Sequence, residues 1–203
     1  LKIAKEQKLD IEKALFDNNA RVAGDATTAR ELAGTETWFT STIQNKGTGG
    51  AHAAGTGADA RTDGTQTVFN QTKFDAIMQN CWDKGGKPDS VYLSAYLMNL
   101  ALAFTGNNNQ RSTVQAGDKK VIKSLDVYVT PWGTIEFIPS RENRGRTVHV
   151  MQDDMWAVAV LRGTKNVELA KTGDNSTRQV VTELTLVAKN EKSSGLGVDF
   201  STS

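Results

Sequence analysis

The segment RQVVTELTLVAKNE, residues 178–191, decides the fold because the character of its side chains alternates along the chain. Every second residue from 180 to 188 falls on one side, which is mostly aliphatic: Val180, Thr182, Leu184, Leu186 and Ala188. The positions between and after them are mostly polar: Glu183, Thr185, Val187 and Lys189. A period of two over this length predicts a long β-strand with one apolar face and one mostly polar face.

Two pairs of shorter strands are predicted upstream of this segment. Residues 125–137 predict a hairpin, because apolar residues alternate on both sides of the turn Pro131-Trp132-Gly133. Those apolar residues are Leu125, Val127, Val129, Ile135 and Phe137. The second pair is expected at about 147–151 and 155–162, joined around Asp153-Asp154.

The opening residues, 1–18, predict a helix because they contain no Gly, Pro or Thr and are rich in strong helix formers. One face carries Leu1, Ala4, Ile11 and Leu15 at helical spacing. Lys8 and Glu12 interrupt that face. Two interpretations stay open: a helix on a surface that meets polar neighbours, and an ordinary amphipathic core helix.

The middle of the chain predicts a compact α/β region that begins with a helix of about three turns from Asn70. Its apolar face is formed by Phe74, Ile77, Met78, Cys81 and Trp82. Gly85-Gly86 and then Pro88 end this helix. The elements expected next are a strand at about 90–93 and a helix at about 95–104, closed by Gly106.

Residues 24–66 differ in composition from the rest of the chain. The run GTGGAHAAGTGADARTDGT, residues 47–65, consists mainly of Gly, Ala and Thr and predicts a long flexible loop or an extended arm. Apolar anchors occur only in ETWFTSTI, residues 36–43, and they are Trp38, Phe39 and Ile43.

The length of the chain limits the number of domains, and its charge balance makes some functions less favoured. The chain has 203 residues with 24 Lys+Arg against 23 Asp+Glu, which suits one large domain or two small lobes. This balance argues against a dedicated nucleic-acid binder, which would be strongly basic. A local basic cluster remains, formed by Arg141, Arg144 and Arg146, with Lys165 and Lys171 nearby in sequence. Solvated loops are the main interpretation of these residues, and a DNA-facing or subunit-facing patch is the alternative.

The cysteine count and the hydropathy give no sign of disulfide bonds or of a membrane-spanning segment. With Cys81 as the single cysteine, no intramolecular disulfide can form. No apolar run approaches the roughly 18 residues of a membrane span, and no signal peptide opens the chain. The sequence starts at Leu1 within the predicted helix, and we interpret it as part of a longer protein.

The sequence carries no strong motif for nucleotide binding, metal binding or catalysis. The glycine-rich run lacks the Gly-Lys-Ser/Thr ending of a phosphate loop. His149 would approach Asp153 and Asp154 if their two strands formed a hairpin, and this set is the candidate for a metal-dependent hydrolase. A turn with two carboxylates beside a strand histidine is the ordinary interpretation. Cys81 lies on an apolar helix face, where thiols are structural. We therefore predict no catalytic, cofactor-binding or metal-binding residue.

Four segments carry a resemblance to a known family: DKGGKPDSVYLSAY at 83–96, TPWGTIEFIPSR at 130–141, MQDDMWAVAVLRG at 151–163 and ELAKTGDNSTRQVVTELTLVAKNEK at 168–192. Together they resemble major capsid proteins of tailed bacteriophages, which adopt the Hong Kong 97 fold. The similarity extends over about residues 1–20 and 70–192. The closing segment is its most specific part, and 45–66 is the least similar.

The resemblance implies an α+β fold with two domains. Residues 1–72 would supply the spine helix and glycine-rich arm of a peripheral domain. Residues 73–159 would form a compact α/β axial domain. Residues 160–203 would return to the peripheral domain as long strands and a tail, with the aliphatic face of 180–188 packed on the spine helix.

The resemblance also implies a structural role without catalysis. Copies of the chain would assemble into pentamers and hexamers of an icosahedral shell around double-stranded DNA. Further partners would be scaffolding, portal or decoration proteins, with weak nonspecific contact to the packaged DNA, no membrane and no cofactor. The protein would be located in the virion after assembly in the cytoplasm of the bacterial host. The alternative is a phage decoration protein or another binding module.

Overall fold

The computed structural model describes residues 2–104, 127–171, 173–175 and 177–202, and for Val127 only the backbone. Leu1, Gly106 and Leu125, which the sequence assigned to particular elements, lie outside the described residues. The helices within these ranges are α1 (Lys2–Phe16), α2 (Gln71–Asp83) and α3 (Ala95–Ala101). The strands are β1 (Ile43–Gln44), β2 (Ser90–Leu93), β3 (Val127–Thr130), β4 (Gly133–Pro139), β5 (Val148–Met151), β6 (Trp156–Glu168), β7 (Arg178–Ala188) and β8 (Gly195–Gly197).

Six of the strands form a mixed sheet in the order β1-β8-β5-β2-β4-β3. β2 runs parallel to β4, β1 runs parallel to β8, and the other neighbours are antiparallel. β1 and β8 come from outside residues 73–159, yet they complete the sheet to which the strands of that region belong. The predicted hairpin is confirmed by β3 and β4, which meet at Thr130 opposite Gly133.

α2 supplies most of the apolar cover on this sheet. Phe74, Ile77, Met78 and Cys81 are buried as predicted and pack in one cluster with the apolar side chains of β2, β4 and β5. The Asn70 side chain caps the first turn by accepting from the Lys73 amide at 3.0 Å. Trp82 was wrongly placed on the buried face: it is 52% exposed, because it lies at the side of the arc formed by the four buried residues and points past the edge of the core. α3 is confirmed but ends at Ala101, shorter than the predicted 95–104.

The segment between α1 and α2 is an extended arm that is docked on the six-stranded sheet, where β1 pairs with β8. Phe39 is fully buried and its ring lies 5.4 Å from that of Trp156. Isolated bridges pair Val22 with Glu31, Ala51 with Thr62 and Thr67 with Phe200. Of the two expectations for this segment, the extended arm agrees with the structure, and polar contacts, which apolar periodicity does not reveal, hold much of it.

α1 is a surface helix, so the first of the two interpretations of residues 1–18 holds. None of its side chains is fully buried. It touches β7 through a hydrogen bond from Nε2 of Gln7 to Oγ1 of Thr182 at 2.8 Å. At its end, the Phe16 ring lies 5.3 Å from the ring of Tyr92 and 5.2 Å from that of His149. These contacts join the helix to both sheets.

The two strands predicted around Asp153-Asp154 exist, but they do not form a hairpin. β5 pairs with β2 and β8, whereas β6 pairs with β7 in a separate two-stranded sheet. A short 3₁₀ turn, Asp153–Met155, leads the chain from one sheet to the other.

Candidate functional site

The ribbon formed by β6 and β7 stands apart from the six-stranded sheet. Its register runs from Trp156 opposite Ala188 to Glu168 opposite Arg178. In the part of the chain that the structure describes, no third strand pairs with either edge. Isolated two-stranded ribbons are only marginally stable in water, so this one depends on surfaces that pack against its faces.

One face of β7 packs towards α1, and it is the face that the alternating pattern predicted to be apolar. Leu186 is 8% exposed, and Leu184 is half-buried. Thr185, between them, is exposed. The alternation is lost between Val180 and Glu183, where all residues are half-buried. Here the register with β6 is irregular, and such irregularities increase the local twist of a ribbon.

The same face is uncovered on the neighbouring strand β6. Val158 lies opposite Leu186 and Val160 lies opposite Leu184, so the four side chains share one face. Val158 is 46% exposed and Val160 is 57% exposed. The apolar face of the ribbon is therefore covered along β7 and open along β6.

Two bulges interrupt β6 and leave β7 regular. The register shifts between Val160 and Arg162, and again between Arg162 and Lys165. Leu161 is the extra residue of the first bulge and is 78% exposed. Nε of Arg162 lies 3.0 Å from a carboxylate oxygen of Glu183 on the opposite strand. This ion pair links the two strands where the ladder is interrupted.

A groove of about 1010 Å³ lies between α1, residues 21–33 of the arm, and the ribbon. Leu161, Leu184, Leu186 and Trp38 are among the apolar residues of its lining. The charged residues of the lining balance one another: Asp10, Glu31 and Glu183 against Arg21, Arg30 and Arg162. The groove therefore has no strong preference for an anion or a cation.

A buried ion-pair cluster fixes the arm to the sheet. The Arg61 side chain is fully buried. It lies 3.1 Å from the Glu36 carboxylate, 2.6 Å from that of Asp63 and 3.2 Å from that of Asp199. Thr147 donates to the second oxygen of Glu36 at 2.8 Å. Three carboxylates surround this one guanidinium group, and two further arginines, Arg144 and Arg146, balance the excess negative charge, which offsets part of the cost of burial.

Arg144 and Arg146 belong to this cluster, which corrects their interpretation as solvated or DNA-facing residues. Arg144 lies 2.8 Å from Glu36 and 2.6 Å from Asp63. Arg146 lies 2.8 Å from Asp199. Arg141, the third residue of the sequence cluster, is exposed. Sequence spacing could not reveal this cluster, because its carboxylates come from distant parts of the chain.

The cluster shifts the ionisation of its members. Burial alone would raise the pKa of the Asp199 carboxyl. The backbone amides of Gly47 and Gly64 and the charge of Arg61 together lower it by more than burial raises it, so its pKa lies below the ordinary value. Burial lowers the pKa of Arg144, yet Glu36 and Asp63 raise it, and its pKa lies above the ordinary value. Both shifts favour the charged forms that hold the arm.

The candidate hydrolase set of His149, Asp153 and Asp154 does not form a metal site among the described residues. His149 is fully buried beside the rings of Phe16 and Tyr92, and neither ring nitrogen has a hydrogen-bond partner among the described residues. Burial, reinforced by the charges of Arg144 and Arg61, lowers its pKa to about 3. Asp153 accepts a hydrogen bond from Ser90 at 2.8 Å. No three His, Cys, Asp or Glu side chains in the described ranges are placed to hold a metal ion.

Cys81 is fully buried, in keeping with a structural role. Burial raises the pKa of its thiol to about 12, so the reactive thiolate is scarce at neutral pH. Among the described helices, none has the length and apolar character to cross a membrane.

Comparison with known proteins gives one family. The family described as SU10 major capsid protein has a model that matches residues 1–201. No curated protein matches the chain.

Proposed function

Because the chain belongs to the SU10 major capsid protein family, we propose that its copies assemble into pentamers and hexamers of an icosahedral shell around double-stranded DNA. Membership itself makes the chain a structural protein of a phage capsid and a component of the virion, as its resemblance to phage major capsid proteins implied. It also implies that the chain associates with copies of itself. The match over residues 1–201 is the observation that carries the proposal.

The proposal includes a Hong Kong 97-type arrangement of the subunit. α1 would be the spine helix, and the ribbon of β6 and β7 would lie beside it in the peripheral domain. The hydrogen bond between Gln7 and Thr182 supports this pairing. The six-stranded sheet with α2 and α3 would form the axial domain. We keep the boundaries 1–72, 73–159 and 160–203, but we count β1 and β8 with the axial domain because they complete its sheet.

The charge distribution suits a coat protein that surrounds DNA without binding it tightly. A strongly basic surface would bind nucleic acid indiscriminately, and a strongly acidic one would repel it. The chain has a net charge of +1. Two of the three arginines in the basic sequence cluster are neutralised by carboxylates. Contact with packaged DNA would therefore be weak and nonspecific.

The remaining parts of the proposal concern partners and catalysis. Scaffolding, portal and decoration proteins would meet the shell, which would assemble in the cytoplasm of the bacterial host. The chain would have no catalytic activity, since shell formation needs buried surface and complementarity, not a reactive group.

Sedimentation and negative-stain microscopy of the full-length protein test the proposal. We expect closed shells, or rings of five and six subunits, in fractions that sediment far ahead of a single subunit. A protein that stays monomeric at high concentration, with its scaffolding partner also present, would contradict the proposed assembly.

A further inference from the structure

The ribbon carries an apolar surface that the described part of the subunit leaves uncovered. We define the β6 strip as Val158, Val160 and Leu161, whose exposed fractions are 46%, 57% and 78%. Leu161 has the highest exposed fraction of the large apolar residues in the described ranges. The strip continues the apolar face of Leu184 and Leu186 across the ladder.

We propose that the β6 strip packs against a second copy of this chain in the assembled shell, with Leu161 at the centre of the contact. This inference rests on the proposed function and identifies a surface through which it would operate.

The charges around the strip favour a copy of the chain over a nucleic acid as its partner. The adjoining groove has three acidic and three basic residues in its lining: Asp10, Glu31, Glu183, Arg21, Arg30 and Arg162. A nucleic-acid site would be strongly basic. A partner of mixed, balanced charge is complementary to such a surface, and this chain has 24 basic and 23 acidic residues.

The size of the strip also favours a repeated partner. A stable interface between two proteins buries about 800 Å² on each side, which is much more than three side chains provide. A contact this small contributes to stable association only when many others form at the same time. A shell, in which each subunit meets several copies, meets this condition.

The bulges in β6 determine how the contact forms. They interrupt the free edge of β6 between Val160 and Lys165, and an interrupted edge is a poor template for another strand. The same bulge displaces Leu161 to the rim of the groove, where it is one of the lining residues. The geometry therefore favours packing of side chains on the face of the ribbon over addition of a strand to its edge.

Thiol labelling tests the contact directly, since Cys81 is buried and its pKa is raised to about 12. Leu161→Cys places an accessible thiol in the strip. Ala159→Cys is the matched control, because Ala159 is an exposed residue of the same strand and pairs with Thr185 on the opposite face. Each full-length variant is treated with a maleimide dye at neutral pH, both as unassembled subunits and as purified particles.

We expect both new thiols to be labelled rapidly in subunits, and Leu161→Cys alone to be labelled about tenfold more slowly in particles. Equal labelling of Leu161→Cys in particles and in subunits would overturn the inference while leaving the capsid function intact. Equal protection of both variants would overturn the assignment to this face. The absence of particles in every preparation, the parent chain included, would contradict the proposed function and with it this inference.

Assembly of charged variants gives a second measurement. Leu161→Asp should fold normally, with an unfolding midpoint within about 2 °C of the parent, because the residue is exposed in the subunit. It should require about tenfold more protein to form particles. Ala159→Asp adds the same charge on the other face and should assemble like the parent chain. Assembly of Leu161→Asp at the parent concentration contradicts the proposal.

Discussion

Arg61 and Asp199 are 138 residues apart in sequence, yet their side chains meet at 3.2 Å in a fully buried ion pair. Glu36 and Asp63 complete the coordination of the same guanidinium group. The contact fixes the arm to the segment that follows β8. Arg144 and Arg146 bring the loop that follows β4 to the same carboxylates, so Arg61 is the fully buried centre of a cluster of three arginines.

Replacing that cation tests its structural role. Arg61→Met should lower the free energy of unfolding by about 1.5–3 kcal/mol, because it removes the fully buried cation that Glu36 and Asp199 share and leaves them only their contacts with Arg144 and Arg146. Urea titration followed by tryptophan fluorescence measures the change. Arg30→Met, on the exposed part of the arm, is the control and should change stability by less than about 0.5 kcal/mol. A loss below about 1 kcal/mol for Arg61→Met would mean that the cluster contributes little net stability.

His149 should make the fold sensitive to moderate acid. Its folded pKa of about 3 lies below the ordinary 6.5, so the unfolded chain binds the proton first as pH falls. Stability is therefore expected to decrease from about pH 6.5 towards pH 3, by up to about 1.4 kcal/mol per pH unit. His149→Leu should flatten this part of the stability profile, and at pH 7 it should be neutral or stabilising because it removes two unpaired nitrogens. An unchanged slope in the variant would show that other groups cause the acid sensitivity.

Asp199 should make stability depend on pH in a more acidic range than His149 does. Its folded pKa lies below the ordinary 3.8, so its contribution to stability is present above that value and is lost as pH falls through the folded pKa. Asp199→Asn should remove this acid step and lower stability at pH 7, since an amide cannot balance the charge of Arg61. Denaturant titrations at a series of pH values between 2 and 5 separate this step from that of His149. The prediction fails if the variant keeps both the step and the parent's stability at pH 7.

The two faces of β7 should respond differently to a negative charge. Leu186→Asp should cost about 3 kcal/mol, because it places an unpaired carboxylate against the covered face. Leu184→Asp should cost less, about 1–2 kcal/mol, because Leu184 is half-buried and borders the groove. Thr185→Asp, on the exposed face, should leave folding intact. Thermal unfolding of the three variants measures the order, and equal losses at all three positions would refute the assignment of the faces.

Replacement of the glycine at the contact between α1 and the arm should destabilise the fold. A Cβ atom at Gly34 would overlap the backbone carbonyl group of Asp17, so the backbone of one of the two segments would have to shift. Gly34→Ala should therefore lower the free energy of unfolding by about 1–3 kcal/mol. Gly163→Ala in β6 is the control: its Cβ meets nothing within 4 Å, and stability should be unchanged or slightly higher. Equal stability of the two variants would show that the arm can shift to make room.

The elements that the sequence predicted well are those stabilised by local pattern. α2 buries four apolar residues at helical spacing, β3 and β4 flank a turn with Pro131 and Gly133, and β7 alternates around Leu186. Each of these signals is contained in a short window, and packing in the folded chain agrees with it. Trp82 is the exception, because the apolar stripe in the sequence is wider than the arc of the helix that the core covers.

The arm and the junction between the sheets could not be predicted in the same way. Arg61 lies in a run of Gly, Ala and Thr that has no apolar period, and its partners Glu36 and Asp199 are distant in sequence. The sequence predicts a turn at Asp153-Asp154 but leaves open whether the flanking strands form a hairpin, because Asp is common in turns of many kinds. Which strand pairs with which is decided by long-range packing. The exposed Leu161 was also missed, because a bulge changes which way a side chain points without changing the composition of the strand.

The position of β8 in the sheet has a consequence for the order of events during synthesis. β8 lies between β1 and β5, so the arm has no strand to pair with until residues 195–197 have left the ribosome. The Asn45 side chain donates to the Val198 carbonyl across 153 residues, a delay of about ten seconds at typical elongation rates. During that time the nascent chain lacks its finished sheet edge and the Asp199 anchor. A growing subunit thus has an incomplete sheet edge until residues 195–200 have emerged from the ribosome.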